Sequence, residues 1–186
     1  MTRARSGADR APTPMVGQYY EQRASAGMQI SEATSVSKFS VSRPGASAMY
    51  TDAHQEGWRR VASRVHAKGG LLYQQLYHLG RKADPSRMPD GAIPVSSSAI
   101  QCPGHIQGNY GKITFAVPRP LETEEIPGIV EEFRQAALRC KTAGIDGIEV
   151  HGANGYLLDQ FLQDGVNRRR SEEHTSELQS RLHLVC

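Results

Sequence analysis

Residues 147–170, GIEVHGANGYLLDQFLQDGVNRRR, change character partway along. Ile148, Glu149 and Val150 open like a buried strand. The chain then sets His151, Gly152, Ala153 and Asn154 where a continuing strand would want apolar side chains. A helical apolar pattern follows in Tyr156, Leu157, Leu158, Phe161 and Leu162. A core strand that runs into an imidazole and an amide just before a helix points to a strand end that faces something other than core.

Working back from that stretch, helix and strand alternate. Residues 123–143 read as an amphipathic helix, with Thr123 as its cap and Glu124 and Glu125 in the first turn, where negative charge suits the helix dipole. Residues 71–80, LLYQQLYHLG, read as a strand. Before it, a helix is expected from Thr51 to Ala67, capped by Thr51, with Trp58, Val61 and Val65 on one face and KGG at its end. Residues 28–34, MQISEAT, read as another strand, preceded by a helix over 13–26 that Gly27 stops. Strands alternating with helices imply parallel pairing through right-handed crossovers. The fold class is therefore α/β, with the strands 28–34, 71–78 and 147–151 as parallel neighbours and the helices on one side.

Between Gly80 and Glu122 lies a long insertion rich in Pro, Ser and Gly. A connection of that length is usually functional. It leaves the C-terminal end of a strand, the end at which (β/α)8 barrels carry their chemistry. A plain surface loop is the alternative.

Three strands end in polar groups: Glu32 and Thr34, Gln75 and His78, then His151 and Asn154. Buried polar groups without partners cost about 1–3 kcal/mol each, so parallel strands would gather these groups around one site. Each also has a structural reading, Gln75 as a bridge between backbones and Thr34 as a loop cap. His151 and Asn154 can both donate to one oxygen without carrying charge, as an oxyanion-stabilising pair does. Tyr156 adds a phenol, a weak acid suited to protonating a carbanion. Two donors and a phenol suit addition across a polarised carbon–carbon double bond, for which a cofactor must supply the hydride. An aldolase or isomerase using His151 as base would want a lysine or second acid at a strand end, and the strand readings offer neither.

Composition narrows the rest. The 22 Lys and Arg residues are dispersed and the net charge is +3, which gives no footprint for nucleic acid. No apolar run is long enough for a bilayer, and MTRARSGADR has no apolar core behind its charges. Cys102, Cys140 and Cys186 form no CxxC pair, which suggests neither a disulfide framework nor a zinc site and leaves a reducing cytoplasm as the default. His78 and His151 are too few for a metal site.

EVHGANGYLLDQFLQDGVNRR closely resembles the signature of the old yellow enzyme family, the flavin-dependent ene-reductases. LLYQQLYHLGRKADPSRMPDGAIPVSSSAI, ASAGMQISEAT and RPLETEEIPGIVEEFRQAA resemble further family segments, in collinear order over about residues 1–169. The resemblance implies a TIM (β/α)8 barrel binding FMN at its strand ends. It also implies NADPH or NADH as hydride donor and an activated alkene, an enone or nitroalkene, as substrate. By position it implies that Thr2 bonds the flavin O4 and that Ala33 lets backbone approach the ring. Gln75 would contact the pyrimidine edge. His151 and Asn154 would hold the substrate oxygen, and Tyr156 would donate the proton. Tyr77 stands where relatives often carry Trp, beside the substrate. A homo-oligomer would be possible for the full-length protein.

Two departures from the family shape the expectation for this chain. It begins after the family's first strand. Beyond about Arg170 the pattern stops, and SEEHTSELQSRLHLVC (171–186) looks like translated adapter sequence foreign to the family. Residues 1–170 are thus expected to form a partial FMN-binding barrel of about three βα units, with a loop or lid at about 80–122. Closure needs eight strands, so the chain as written is expected to be inactive, or a non-catalytic module.

Overall fold

Leu71–Tyr77 (β3) is the strand around which the rest is arranged. Leu72, Gln74 and Leu76 turn to one face and are fully buried, while Tyr73, Gln75 and Tyr77 turn to the other. The computed structural model describes residues 2–41, 43–108 and 111–169. The tail read as foreign to the fold, 171–186, lies outside them.

On one edge of β3 stand Met28–Ile30 (β1) and Thr34–Ser35 (β2), and on the other Gly147–Val150 (β8), all parallel to it. The expected strand order is therefore observed, but the expected strand 28–34 is not continuous. Ile30 pairs with Tyr73 and Thr34 with Leu76, so residues 31–33 stand opposite only Gln74 and Gln75. One extra residue in a ladder is a bulge, which re-aims side chains and often lies beside an active site. Ser31 makes it tenable: its N–H donates to the Tyr73 carbonyl at 2.8 Å, and its hydroxyl accepts the Gln75 N–H at 3.0 Å in place of a backbone carbonyl.

Three helices cover the face of Leu72 and Leu76: Pro14–Glu21 (α1), Asp52–His66 (α2) and Ile126–Thr142 (α3). Val16, Tyr20, Trp58, Val61, Val65, Ala136 and Cys140 pack there with both leucines. Each fully buried apolar side chain contributes about 1.5–3 kcal/mol. Thr51 caps α2 as expected: its hydroxyl accepts the His54 N–H at 3.3 Å, while His54 Nδ1 accepts the Thr51 N–H at 3.2 Å. The helix expected over 13–26 stops at Glu21 and resumes as a 3₁₀ turn, Ala24–Ala26, which brings Ala24 against Gly70. The helix expected from Thr123 starts at Ile126 after a 3₁₀ turn, Thr123–Glu125, in which the Glu125 carboxylate accepts the Glu122 N–H at 2.7 Å. Thr123 instead accepts from Arg169 Nη2 at 2.7 Å.

The insertion has structure of its own. Val95–Ser96 (β4) pairs in parallel with Arg119–Pro120 (β7), and His105–Gly108 (β5) forms a hairpin with Gly111–Thr114 (β6). Leu157–Leu162 (α4) packs against β4 and the turn at Gly80–Lys82. The turn at Gly80–Lys82 follows β3 and α4 follows β8, and β4 packs against both.

Candidate active site

The register of β8 on β3 sets Glu149 beside Gln75 and Gly147 beside Tyr73, on the face turned away from the helices. A Cβ at Gly147 would lie 2.3 Å from the Tyr73 ring, so only glycine admits that ring there. Gln75 Nε2 donates to the Glu149 carboxylate, which leaves the second amide atom of Gln75 without a protein partner among the described residues. Continuing the alternation, His151 follows Glu149 on this inner face. Its Nδ1 accepts the Ala153 N–H at 3.3 Å. In the neutral ring that bond puts the proton on Nε2, the nitrogen left to donate outward.

The chain then turns sharply. Asn154 (φ 58°) and Gly155 (φ 69°) are both left-handed. Gly155 N–H donates to Asp159 Oδ2 at 2.6 Å, the Gly155 carbonyl accepts from Gln160 Nε2 at 2.8 Å, and Tyr156 N–H donates to the Ala153 carbonyl at 3.2 Å. Tyr156 N-caps α4 by position. Its ring centroid lies 4.7 Å from that of His151 and 5.6 Å from that of Tyr77. Ala33, at the end of the bulge, packs into the cluster of Tyr77, Leu79, Ala83, Met88 and Tyr156.

His151, Tyr156 and Tyr77 are thus brought together, with Gln75 on the same face and Ala33 alongside. Asn154 is exposed, and its side chain makes no hydrogen bond among the described residues. Thr2 is exposed as well, next to an anchored segment: Glu32 Oε2 accepts the N–H groups of Arg3 and Ala4, each at 2.8 Å.

Three polar residues expected at the mouth have other duties. Glu32, 1% exposed, holds those N–H groups and the Ser47 hydroxyl at 2.8 Å. Thr34 is turned to the helix-covered face by the bulge, where its hydroxyl donates to the Glu32 carbonyl at 2.9 Å and accepts from Gln74 Nε2. His78 lies outside the inner face, one residue beyond Tyr77, with Nδ1 accepting the Gly80 N–H at 3.1 Å. It lines a cavity of about 560 Å³ together with Phe39, Ile93, Leu121 and Glu132. His151, Asn154 and Tyr156 do not line that cavity.

Sequence reasoning missed Lys82 and Gln160. Lys82 donates from Nζ to the Asn154 carbonyl at 2.7 Å, and Gln160 Nε2 also donates to the Leu79 carbonyl at 3.1 Å. A polar residue amid the apolar face of Leu157 and Phe161 was the one available signal for Gln160. An amine and a second acid, Lys82 and Glu149, therefore do stand near the mouth, contrary to the strand reading. The amine is tied to a carbonyl and the acid to Gln75. Among the described residues, no group of His, Cys, Asp and Glu is arranged to hold a metal ion.

The profile of the NADH:flavin oxidoreductase / NADH oxidase family matches residues 1–185. The chain belongs to this family. It is 42% identical over 191 residues to 12-oxophytodienoate reductase 7 of Oryza sativa subsp. japonica, covering 100% of this chain and 48% of that protein. Among solved structures, morphinone reductase in complex with tetrahydroNAD superposes with a TM-score of 0.89 at 43% identity, over 99% of this chain and 52% of that one. The old yellow enzyme homologue from Zymomonas mobilis gives 0.89 at 39% identity, over 100% and 51%. The chain spans about half the length of the curated relatives it matches. The parallel strands of this old yellow enzyme fold are those of a partial TIM barrel.

The inner face fits the flavin such a family implies. A planar ring with a polar edge needs a small residue beside it and uncharged hydrogen-bonding groups along it. Ala33, the unfilled amide valence of Gln75 and Nε2 of His151 meet those needs without a buried charge that lacks a partner.

Proposed function

We propose that the complete protein is an FMN-dependent NAD(P)H oxidoreductase that reduces activated carbon–carbon double bonds, an ene-reductase. The observation that carries the reading is the 4.7 Å approach of His151 and Tyr156 on the inner face, with His151 Nδ1 already engaged. Bound FMN would supply the hydride, which no side chain can. Gln75 and Thr2 would hold the polar edge of the ring, His151 would flank it, and Ala33 would leave room for it.

His151 Nε2 and the Asn154 amide would donate to the carbonyl or nitro oxygen of the alkene. That interaction strengthens as negative charge builds on the oxygen. Tyr156 would then give its phenolic proton to the neighbouring carbon. Tyr77, packed against Tyr156, would limit what fits beside it. Enones are favoured by the relatives' names, 12-oxophytodienoate and morphinone reductase, and a nicotinamide donor by the complex with tetrahydroNAD.

Residues 1–170 would be the FMN-binding part of the barrel, with 80–122 as a lid and 171–186 outside it. Buried free thiols at Cys102 and Cys140 suit a cytoplasmic setting. Among the described residues no helix is long and apolar enough to cross a membrane.

The test is Tyr156→Phe in the complete flavin-loaded protein. Alkene reduction should slow by about 10²–10⁴-fold, the range for a positioned general acid, while oxidation of NAD(P)H persists. Slower NAD(P)H oxidation with unchanged alkene reduction would remove Tyr156 from its role. His151→Ala or Asn154→Ala should weaken binding of carbonyl ligands.

A further inference from the structure

The turn that carries Asn154 and Tyr156 is closed by its own backbone bond, Tyr156 N–H to the Ala153 carbonyl, so what side chains add is where the turn stands. Its two left-handed residues, Asn154 and Gly155, are the pair such a turn favours, so its own geometry is local while its position against the neighbouring strand is not. Four side chains bond the turn, and His151 does so from the strand end that leads into it. Asp159 and Gln160 belong to α4, the helix that the turn starts. Lys82 alone comes from elsewhere, from the loop after β3, and its Nζ meets the Asn154 carbonyl at 2.7 Å. It thereby ties the turn to the strand that carries Gln75 and Tyr77. The same ammonium lies 5.7 Å from the Tyr156 ring centroid. A Cβ on Gly155 would come within 3.1 Å of Nζ and 3.2 Å of Cε. Lys82 forms no ion pair among the described residues, so no carboxylate competes for its donors.

We propose that Lys82 is a positioning residue: by holding the Asn154 carbonyl it keeps the Asn154 amide and the Tyr156 phenol in register with His151. The inference rests on the reading of Tyr156 as proton donor. Lys82 touches neither flavin nor reacting carbon in this role. It acts through the turn, and the loss of its hydrogen bond misplaces two groups at once.

Two substitutions separate the roles. Lys82→Met keeps an apolar stem and removes the donor, whereas Lys82→Arg keeps a donor. In hydrogen exchange on the complete protein, the amides of Gly155 and Tyr156 should open about tenfold faster in Lys82→Met and stay protected in Lys82→Arg. In the flavin-loaded enzyme, Lys82→Met should lower kcat for alkene reduction on the order of 10–100-fold, the scale of a misplacement near 1 Å, with little change in NAD(P)H oxidation. Lys82→Arg should restore most of it. Unchanged exchange in Lys82→Met overturns the proposal. So does a parallel loss of both half-reactions, or a failure of arginine to rescue. If the wild-type enzyme reduces no alkene with NAD(P)H, the functional reading fails, and the exchange experiment still decides what Lys82 holds.

Discussion

His78 is enclosed where β3 gives way to its loop, and burial pushes its imidazole down to about 4. The ring is therefore neutral in the folded chain, whereas the unfolded chain takes up a proton below about pH 6.5. A depressed histidine favours the unfolded state as pH falls, so stability should drop between about pH 6.5 and 4, by on the order of 3 kcal/mol for this group. Urea midpoints at pH 7 and 4.5 measure it: His78→Gln, which does not titrate, should lose less than wild type between the two. Equal losses would show that the ring is not shielded. Glu32 gives a second single-residue test. Glu32→Gln replaces one acceptor oxygen with an amide NH2 group, a donor, so the N–H groups of Arg3 and Ala4 face a poorer partner, at about 1–3 kcal/mol. Trypsin should cut after Arg3 and Arg5 sooner in the variant, because the segment that includes Thr2 is held there.

At the level of elements, α2 was legible because its signals are local: Thr51 at the cap, Trp58, Val61 and Val65 along one stripe. That His151 and Tyr156 lie together was legible for a similar reason, since a polar break between strand and helix is visible in a few residues. Thr34 was misread because strict alternation from Ile30 puts it on the inner face, and nothing in Ser31, Glu32 or Ala33 announces an extra residue. Lys82 could not be read from sequence, because its partner lies 72 residues away. The bulge makes its own prediction. Ser31→Ala leaves the Gln75 N–H without its acceptor and should cost about 1–3 kcal/mol, with faster exchange at the Gln75 amide. An unchanged Gln75 amide would mean that another group takes over from the Ser31 hydroxyl.

At the scale of the molecule, two apolar surfaces stand open. Met28, Ile30 and Leu71 are 52%, 42% and 46% exposed on the inner face. Ile148 and Val150 are 42% and 50% exposed on the other face of β8, which among the described residues pairs along one edge. Unpaired strand edges with exposed apolar side chains are templates for association. The 186-residue chain should therefore self-associate with rising concentration in sedimentation velocity and bind an apolar dye. Val150→Lys should reduce the association. A monomer that binds no dye at any concentration would count against this view of the edge.

The bulge has a consequence for how the chain tolerates changes in length. Elsewhere in β1 or β3, losing one residue turns every side chain beyond it to the opposite face. Between 31 and 33 it does not. Two residues would fill the two places opposite Gln74 and Gln75, and 28–30 and 34–35 would keep their present orientation. A one-residue deletion there should leave a regular ladder and a fold at least as stable, yet draw Ala33 away from Tyr77 and Tyr156. That segment is slack in the strand, and the slack is taken up at the surface proposed to meet the flavin.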